Sequence, residues 1–352
     1  MRHAFSFLLL AFGLSWTACN NNDGGVDASK PWLINANEVL NGGPGKDGIP
    51  SVDSPEFVNN TAVSDFLSDE ELVVGVRIGE EVKAYPHPIL DWHEIVNDEI
   101  GGEPISINYC PLTGTAMCWS RKLSTGVTTF GVSGLLYNTN LIPYDRETDS
   151  NWSQMLMQSV QGDLSGEAAT LFPVVETTWG QWKRMYPDAQ VMSSNTGFQR
   201  DYNQYPYGDY KTANWLLFQV NPRDERLDLK ERVHGLRING QVKTYRFGSF
   251  SDGVRVVNDV FQNEEVVIAG SQPDNFIVSF HRRLSDGTSL EFTAVTDQLP
   301  VVMQDQMGSR WDIFGRAVDG PNEGKQLSFE TSLMGYWLTF GSFYPRPAIF
   351  EN

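Results

Sequence analysis

The chain has 352 residues, enough for about two domains of ~150 residues each. Hydrophobic residues make up 40% of it and aromatic residues 12%, so each domain has the side chains for a buried core. The 44 acidic residues outnumber the 26 basic ones, giving a net charge of −18 that excludes nucleic acid as a partner, because nucleic-acid binding needs clustered lysine and arginine.

Residues 1–18 have the pattern of a bacterial signal peptide. The apolar run from Phe5 to Leu14 follows a positive start and is too short to span a membrane as a helix. Ala18 precedes Cys19 as a small residue precedes the lipidated cysteine of bacterial lipoproteins, so we expect a lipid on Cys19; simple secretion with another cleavage site is the alternative. The expected location is the cell envelope outside the cytoplasm, on the outer membrane, with the membrane as a partner through the anchor.

Composition and patterning divide the rest of the chain. Residues around Asn20 to Ser29 are polar and glycine-rich, which is typical of a flexible tether. The predicted organisation after the signal peptide is a tether over 19–30, an N-terminal arm over 31–69, a first module over 70–190, a connecting segment over 191–229 and a second module over 230–352.

The second module repeats motifs of the first about 160 residues later. Residues 71–85 align with 231–245, and three short motifs keep the same order: Val96-Asn97-Asp98 with Val257-Asn258-Asp259, residues 121–126 with 282–287, and Tyr186-Pro187 with Tyr344-Pro345. Alternating apolar residues predict strands, with short helices over His87–Val96 and Trp179–Met185. The predicted fold is α+β and β-rich: two duplicated, mainly antiparallel β modules with short helices, packed together.

The residues that carry chemistry are concentrated in the first module. Cys110 and Cys118 flank a Pro/Gly turn, and His93 and Glu94 lie shortly before it. The corresponding positions of the second module fall near Ser271, Ser279, Val254 and Arg255. The sequence therefore predicts a site in the first module and a degenerate second module.

Several roles remain open for Cys110. Its turn is half of a metal knuckle in which Thr113 replaces the second cysteine, which excludes a structural site of four thiolates. A mixed site of Cys110 with His93, Glu94 or His87 would suit a transition metal such as zinc or copper. The alternatives are a buried packing thiol, a disulfide between Cys110 and Cys118 on the same face of a hairpin, and a nucleophile with a histidine base.

A second group of polar residues follows on a strand-like stretch. Residues 130–154 are dense in polar side chains that are candidates to line a pocket, although turns and strand ends account for the same composition. Gly-Val-Ser-Gly is not the nucleophile elbow of serine hydrolases, and no phosphate-binding loop or dinucleotide fingerprint occurs. The ligand-binding candidates are Thr113, Asn138, Asp145 and Gln154.

The motifs of the first module resemble a known family. Leu-Asp-Trp-His-Glu at 90–94, Tyr-Cys-Pro-Leu-Thr-Gly at 109–114 and Phe-Gly-Val-Ser-Gly at 130–134 are similar to the bacterial family catalogued as domain of unknown function 3179, over most of residues 70–350. The resemblance implies a secreted protein or lipoprotein of the variant in which the position of Thr113 lacks cysteine. It implies no activity, and it draws attention, without roles, to His93, Glu94, Cys110, Thr113, Asn138, Asp145 and Gln154.

Three functional hypotheses follow. The first is an envelope lipoprotein that binds a ligand or metal in a pocket of the first module formed by His93, Glu94 and Cys110. The second is an envelope enzyme that uses Cys110 as a thiolate. The third is a surface module that binds glycan or protein through aromatic side chains.

Overall fold

The computed structural model describes residues 30–60 and 66–351. The predicted signal peptide, the lipidation at Cys19 and nearly all of the tether lie outside these residues. The described part is β-rich with three short α-helices, as the sequence predicted. None of its helices is long and apolar enough to cross a membrane.

The N-terminal arm and the first module form a continuous series of short elements. A 3-10 turn at Ala36–Glu38 comes first. The strands and helices that follow, in chain order, are β1 (Val39–Asn41), β2 (Phe57–Asn59), β3 (Leu72–Ile78), β4 (Glu81–Pro86), α1 (His87–His93), β5 (Ile95–Ile100), β6 (Glu103–Cys110), β7 (Thr115–Ser120), β8 (Lys122–Leu123), β9 (Gly126–Val127), β10 (Phe130–Tyr137), β11 (Asn140–Asp145), β12 (Asn151–Ser153), β13 (Gln158–Gln161), β14 (Leu171–Phe172), β15 (Val174–Thr178), α2 (Trp179–Met185) and β16 (Gln190–Met192).

The second module has a similar series after a connecting segment that contains turns but no named strand or helix between Met192 and Arg232. A 3-10 turn at Phe247–Phe250 takes the place of α1. The named elements are β17 (Arg232–Ile238), β18 (Gln241–Arg246), β19 (Arg255–Phe261), β20 (Glu264–Ser271), β21 (Phe276–His281), β22 (Phe292–Ala294), β23 (Val301–Asp305), β24 (Arg310–Asp312), β25 (Ala317–Asp319), β26 (Ser332–Tyr336), α3 (Trp337–Phe343) and β27 (Ala348–Ile349).

The strands form several small, mostly antiparallel sheets. Two pairings run parallel, β16 with β4 and β27 with β18. The strand orders are β1-β10-β11-β12-β13, β14-β7-β6-β5 and β15-β3-β4-β16-β2 in the first part of the chain, β26-β17-β18-β27, β19-β20-β21 and β22-β23-β24-β25 in the second, and the small pair β8-β9.

Corresponding strands of the two modules pair in the same register. Val73 lies opposite Pro86, and Val233 lies opposite Arg246. Side-chain contacts recur as well. Asp98 accepts hydrogen bonds from a lysine and a tyrosine of β4, and Asp259 accepts them from a lysine and a tyrosine of β18.

One close approach explains a glycine in each module. Gly75 in β3 leaves room for Trp182 of α2, and a Cβ at that position would lie 1.9 Å from the indole carbon Cζ3. Gly235 in β17 leaves the same room for Phe340 of α3, at 2.1 Å from Cε1. In both modules a helix therefore packs against a strand that has no side chain at the contact.

The modules contact each other in a reciprocal way. Tyr336 N in β26 donates to the carbonyl oxygen of Thr113, in the turn of the first module, at 2.8 Å. Thr177 Oγ1 in β15 donates to the carbonyl oxygen of Asp274, in the corresponding turn of the second, at 2.7 Å. One hydrophobic cluster includes residues of both modules, with the rings of Trp182 and Phe314 6.4 Å apart. The two modules thus share a core.

Two local predictions can be compared with the structure. The helix predicted over Trp179–Met185 is confirmed. The helix predicted over His87–Val96 ends earlier, at His93, because Glu94 has a positive φ of 57° and Ile95 already belongs to β5. The sequence pattern did not reveal this break, because glutamate is not a residue that favours positive φ.

Candidate functional site

His93 is buried at the end of α1, and both of its ring nitrogens have partners. Nδ1 lies 2.8 Å from the carbonyl oxygen of Pro50, and Nε2 lies 2.7 Å from the hydroxyl of Tyr202. Burial lowers the pKa of the imidazole, which favours the neutral ring. His93 joins the N-terminal arm and the connecting segment to α1 and has no nitrogen left for a metal.

Glu94 follows directly and has an unusual environment. Its side chain is buried and accepts a hydrogen bond of 3.0 Å from the hydroxyl of Tyr207. Burial raises the pKa of its carboxyl to about 7. Its backbone, at φ 57° and ψ −35°, lies in a sparsely populated region that costs roughly 1–3 kcal/mol.

Cys110, at the end of β6, is a buried thiol. Its Sγ lies 3.7 Å from the carbonyl oxygen of Thr139. Burial, and then the charge of Glu94, raise the pKa of the thiol to about 11. At neutral pH the side chain is therefore a thiol rather than a nucleophilic thiolate.

The structure contradicts the disulfide alternative. Cys110 lies opposite Thr115, whereas Cys118 lies opposite Ile107. Because Ile107 and Cys110 are three residues apart on one strand, the two cysteines face opposite sides of the sheet, and both are free thiols. The predicted shared face is wrong because the hairpin register differs by one residue from the one assumed.

The structure also does not assemble the predicted metal set. Across residues 30–60 and 66–351, no group of three or more histidine, cysteine, aspartate or glutamate side chains could hold a metal ion. Of His93, Glu94 and Cys110, only the last two lie near each other, since His93 points to the arm and to Tyr202.

Thr113 and Gln154 do come together, in a buried network of hydroxyls and amides. Asn140 Nδ2 donates to Thr113 Oγ1 at 3.0 Å and to Gln154 Oε1 at 2.7 Å. Thr115 Oγ1 donates to the same Gln154 oxygen at 2.6 Å. Gln154 Nε2 donates to the backbone oxygen of Asn108 at 2.8 Å. The turn after Cys110 is thus closed by hydrogen bonds in place of a second thiolate.

Asn138 and Asp145 lie in other places and have local roles. Asn138 Oδ1 accepts from Asn221 N at 2.9 Å, which fixes the connecting segment. Asp145 Oδ2 accepts from Trp152 Nε1 at 3.0 Å, and Asp305 accepts from Trp311 in the same way in the second module. These contacts hold turns in place, so neither residue joins Glu94 and Cys110.

The structure adds two buried carboxylates that the sequence analysis did not single out, Asp91 and Glu176, and brings His87 close to them. Besides Glu94 and Cys110, the buried polar cluster contains the side chains His87, Asp91 and Glu176. Lys211 Nζ, from the connecting segment, donates to Asp91 Oδ2 at 2.7 Å. His87 Nε2 lies 3.1 Å from Glu176 Oε2, without the alignment of a hydrogen bond. Arg232, from the second module, lies 3.4 Å from the same oxygen.

Four tyrosines surround the buried polar cluster: Tyr109, Tyr205, Tyr207 and Tyr336. Burial is the largest cause of the raised pKa of Tyr109, and the charges of Asp91 and Glu176 raise it further. Burial raises the pKa of Tyr336 to about 12, although Arg232 opposes the shift. Both hydroxyls therefore lie within the electrostatic reach of Asp91 and Glu176, which places the two carboxylates around one region.

Comparison with known proteins identifies the family. The sequence matches the family described as "Protein of unknown function (DUF3179)" over residues 46–347. The chain belongs to this family. No curated protein and no solved structure matches it.

In this DUF3179 protein the buried polar cluster occurs in the first module alone. In the first module Glu176 lies opposite Val74. At the corresponding pair of the second module, Met334 lies opposite His234, so a methionine replaces the glutamate. Cys110 corresponds to Ser271. The second module thus keeps the strand pairing and lacks these ionisable groups.

A sequence signal existed for part of the missed set. His87 and Asp91 are four residues apart, so helix α1 brings them to one side. Glu176 is a lone charge in an apolar strand. Tyr205, Tyr207 and Lys211 lie in an irregular segment, where no periodicity indicates which side chains turn inward.

Proposed function

We propose that this DUF3179 protein is a ligand-binding module of the bacterial cell envelope whose site is the buried polar cluster of the first module. The observation that carries the proposal is a pair of buried carboxylate oxygens, Asp91 Oδ1 and Glu176 Oε1, that accept no hydrogen bond from any described residue. The hydroxyl of Tyr205 is buried and unpartnered in the same sense. Buried polar atoms nearly always have partners, so a ligand with donor groups accounts for all three.

The charges around these atoms favour a neutral ligand. Asp91 already has the ammonium of Lys211, and Glu176 has the guanidinium of Arg232. A further cation would leave the region with excess positive charge away from water. Hydroxyl groups supply donors without charge, and flanking tyrosine rings offer apolar faces, so a small sugar or polyol fits best.

The unusual backbone of Glu94 supports the same site. Strained residues persist where the surrounding structure enforces them, and they cluster at functional sites. Its counterpart Arg255 lies in strand β19, outside the residues with positive φ. The strained backbone thus occurs in the first module, beside the ionisable side chains of the cluster. It does not occur at the corresponding position of the second module, which lacks those side chains.

The hypothesis of a surface aromatic platform has weaker support. Five tryptophans are fully buried. Among the described residues, Trp215 is the one tryptophan with a largely exposed side chain, at 45%. Trp215 packs edge-on against Tyr210 at 5.2 Å, with Lys230 over both rings. The aromatic contribution to binding is therefore assigned to the tyrosines of the cluster.

An enzyme is the second candidate, and it rests on Glu94 rather than on Cys110. A carboxyl with a pKa of about 7 can give or take a proton near neutral pH. A thiol with a pKa of about 11 is a poor nucleophile there. Turnover of a bound sugar derivative that is abolished by Glu94→Gln would favour this candidate.

We further infer that the two modules arose by duplication and that the second serves as a scaffold. The matching registers, the recurrent Asp98 and Asp259 contacts and the reciprocal turns support it. The scaffold contributes directly to the proposed site, because Arg232 and Tyr336 both belong to the second module.

Envelope anchoring rests on the sequence pattern before Cys19. We expect the full chain to fractionate with membranes and Cys19→Ala to appear in the soluble fraction, because the acyl chains supply the membrane affinity. Equal membrane association of both chains would contradict the anchor.

Ligand binding is tested with glucose, N-acetylglucosamine and glycerol as probes and methylammonium as a charged comparison. Saturation-transfer difference NMR on the full chain should show transfer to at least one hydroxylated probe, and Asp91→Asn should weaken its affinity at least tenfold. Asp149→Asn, an exposed carboxylate outside the cluster, is the control. Transfer that is unchanged in Asp91→Asn, or preference for methylammonium, would refute the neutral-ligand proposal.

A further inference from the structure

The N-terminal arm covers one edge of the first module, where Val52 forms a parallel β-bridge with Val96. Val52 N donates to the carbonyl oxygen of Ile95 at 2.9 Å, and Asn97 N donates to the carbonyl oxygen of Val52 at 2.8 Å. Asp53 Oδ1 accepts from Asn97 Nδ2 at 2.7 Å. Asp47 N donates to the carbonyl oxygen of Val132. The arm therefore runs from β10 to β5, and Asn97 beneath it is buried.

The corresponding edge of the second module is uncovered. β19 pairs with β20 on one side, and no described residue pairs with its other side. Asn258 is exposed, although its side chain makes the same pair of bonds to Phe292 that Asn97 makes to Phe130. The two edges thus have the same local structure and differ in whether a segment of the chain lies on them.

A groove of about 580 Å³ occupies the place of the arm. Its walls include Val254, Val256 and Ala294. The corresponding residues of the first module are His93, Ile95 and Val132, and the arm contacts all three. Phe292 and Thr293 complete the same side. The unpaired groups on the edge are the carbonyl oxygen of Val256 and the N–H of Asn258, at the positions that Val52 bonds in the first module.

We propose that this groove binds the tether of a second copy of the chain, residues 25–29, as an added strand. Val26-Asp27 in the tether repeats the Val52-Asp53 pair of the arm, and both pairs are followed by a small residue. Val26 takes the place of Val52 on the edge of β19, and the carboxylate of Asp27 accepts from Asn258 Nδ2. An extended peptide that adds to a free sheet edge gains main-chain hydrogen bonds in this way.

A second copy is the source because the chain's own tether leaves from the other module. Lys30 pairs with Asp163, which follows β13 in the first module. Val26 lies four positions before Lys30, and this stretch of chain spans at most about 14 Å. The proposal concerns self-association through the second module and is independent of the ligand site.

The test is the binding of a fluorescent peptide with the sequence of residues 22–30 to the full chain, measured by fluorescence anisotropy. Saturable binding is expected, with at least a tenfold loss in Thr293→Trp, whose indole fills the groove. Thr288→Trp, an exposed threonine of the same module outside the groove, should bind as the unaltered chain does. Equal binding by Thr293→Trp and Thr288→Trp would overturn the proposal.

Changes on the peptide side keep the test independent of how the groove variants fold. Replacement of the valine by glycine, V26G, should abolish binding, and a scrambled peptide should not bind. In sedimentation of the full chain in detergent, Val26→Gly should reduce self-association. Binding of the scrambled peptide, or self-association unchanged by Val26→Gly, would show that the tether is not the occupant.

Discussion

At the scale of single residues, Glu94 is a carboxyl that burial favours in its neutral form. Its carboxyl has one hydrogen-bond donor among the described residues, Tyr207, and the charge of Asp91 nearby adds to the desolvation. A protonated Glu94 can share the space with Asp91 without repulsion. The proton on Glu94 is therefore part of how the first module tolerates two neighbouring carboxyls.

The pH dependence of stability follows from this raised pKa. The folded protein holds the proton up to a pH of about 7, whereas the unfolded chain releases it near 4.5, so stability falls as the pH rises between these values. The loss is roughly 3 kcal/mol for a shift of this size. Urea unfolding from pH 5 to pH 8 should show this decline, and Glu94→Gln should make it shallower; Glu70→Gln, an exposed carboxyl, should leave it unchanged. An unaltered slope in Glu94→Gln would contradict the assignment.

The sequence predicted which polar residues of the first module are candidates for a site, but it did not predict which residues they contact. His93, Glu94 and Cys110 are all buried, yet His93 turns away from the other two, to Pro50 and Tyr202. Tyr202 lies more than 100 residues from His93, in a segment without periodicity, so spacing along the chain carries no information about this contact. Asp91 and Glu176 were missed for a similar reason, because their burial depends on tertiary contacts.

At the scale of elements, each module depends on a helix packed against a strand glycine. Trp182 lies over Gly75, and Phe340 lies over Gly235. The strands themselves were predicted from alternation, and α2 was predicted from its sequence. Each helix packs where a glycine in the strand has no side chain. A pattern of hydrophobic residues does not indicate such a contact.

Adding a methyl group at either glycine should destabilise the protein. In Gly75→Ala the new Cβ overlaps the indole of Trp182, and we expect a loss of about 1–3 kcal/mol in the free energy of unfolding. Gly235→Ala should behave similarly. Gly248→Ala is the matched control, because its Cβ meets nothing within 4 Å. Equal unfolding midpoints for Gly75→Ala and Gly248→Ala would show that α2 shifts without cost.

At the scale of the whole molecule, the modules are joined by more than the connecting segment. The reciprocal turn contacts and the shared hydrophobic cluster place residues of each module in the other's core. Neither half can then lose its structure without exposing apolar surface of its neighbour. The sequence repeat did not predict this exchange, since the turn residues 111–114 and 272–275 differ in sequence.

Unfolding should therefore be a single transition. Urea titrations followed by tryptophan fluorescence and by far-ultraviolet circular dichroism are expected to give coincident midpoints, because both modules unfold together. The buried tryptophans report on both modules, with Trp119 in the first and Trp311 in the second. Two separated midpoints would indicate that the modules are independent units.

The bond from Tyr336 to Thr113 has a consequence for the order in which the protein matures. It joins positions roughly 220 residues apart, and closing so large a loop is entropically costly and slow. A chain that emerges from its N-terminus exposes Asp91, Glu94 and Glu176 long before Arg232 and Tyr336 are made. The polar cluster therefore becomes enclosed only at the end of synthesis, when the last strands arrive, and a truncated chain would lack the half that covers it.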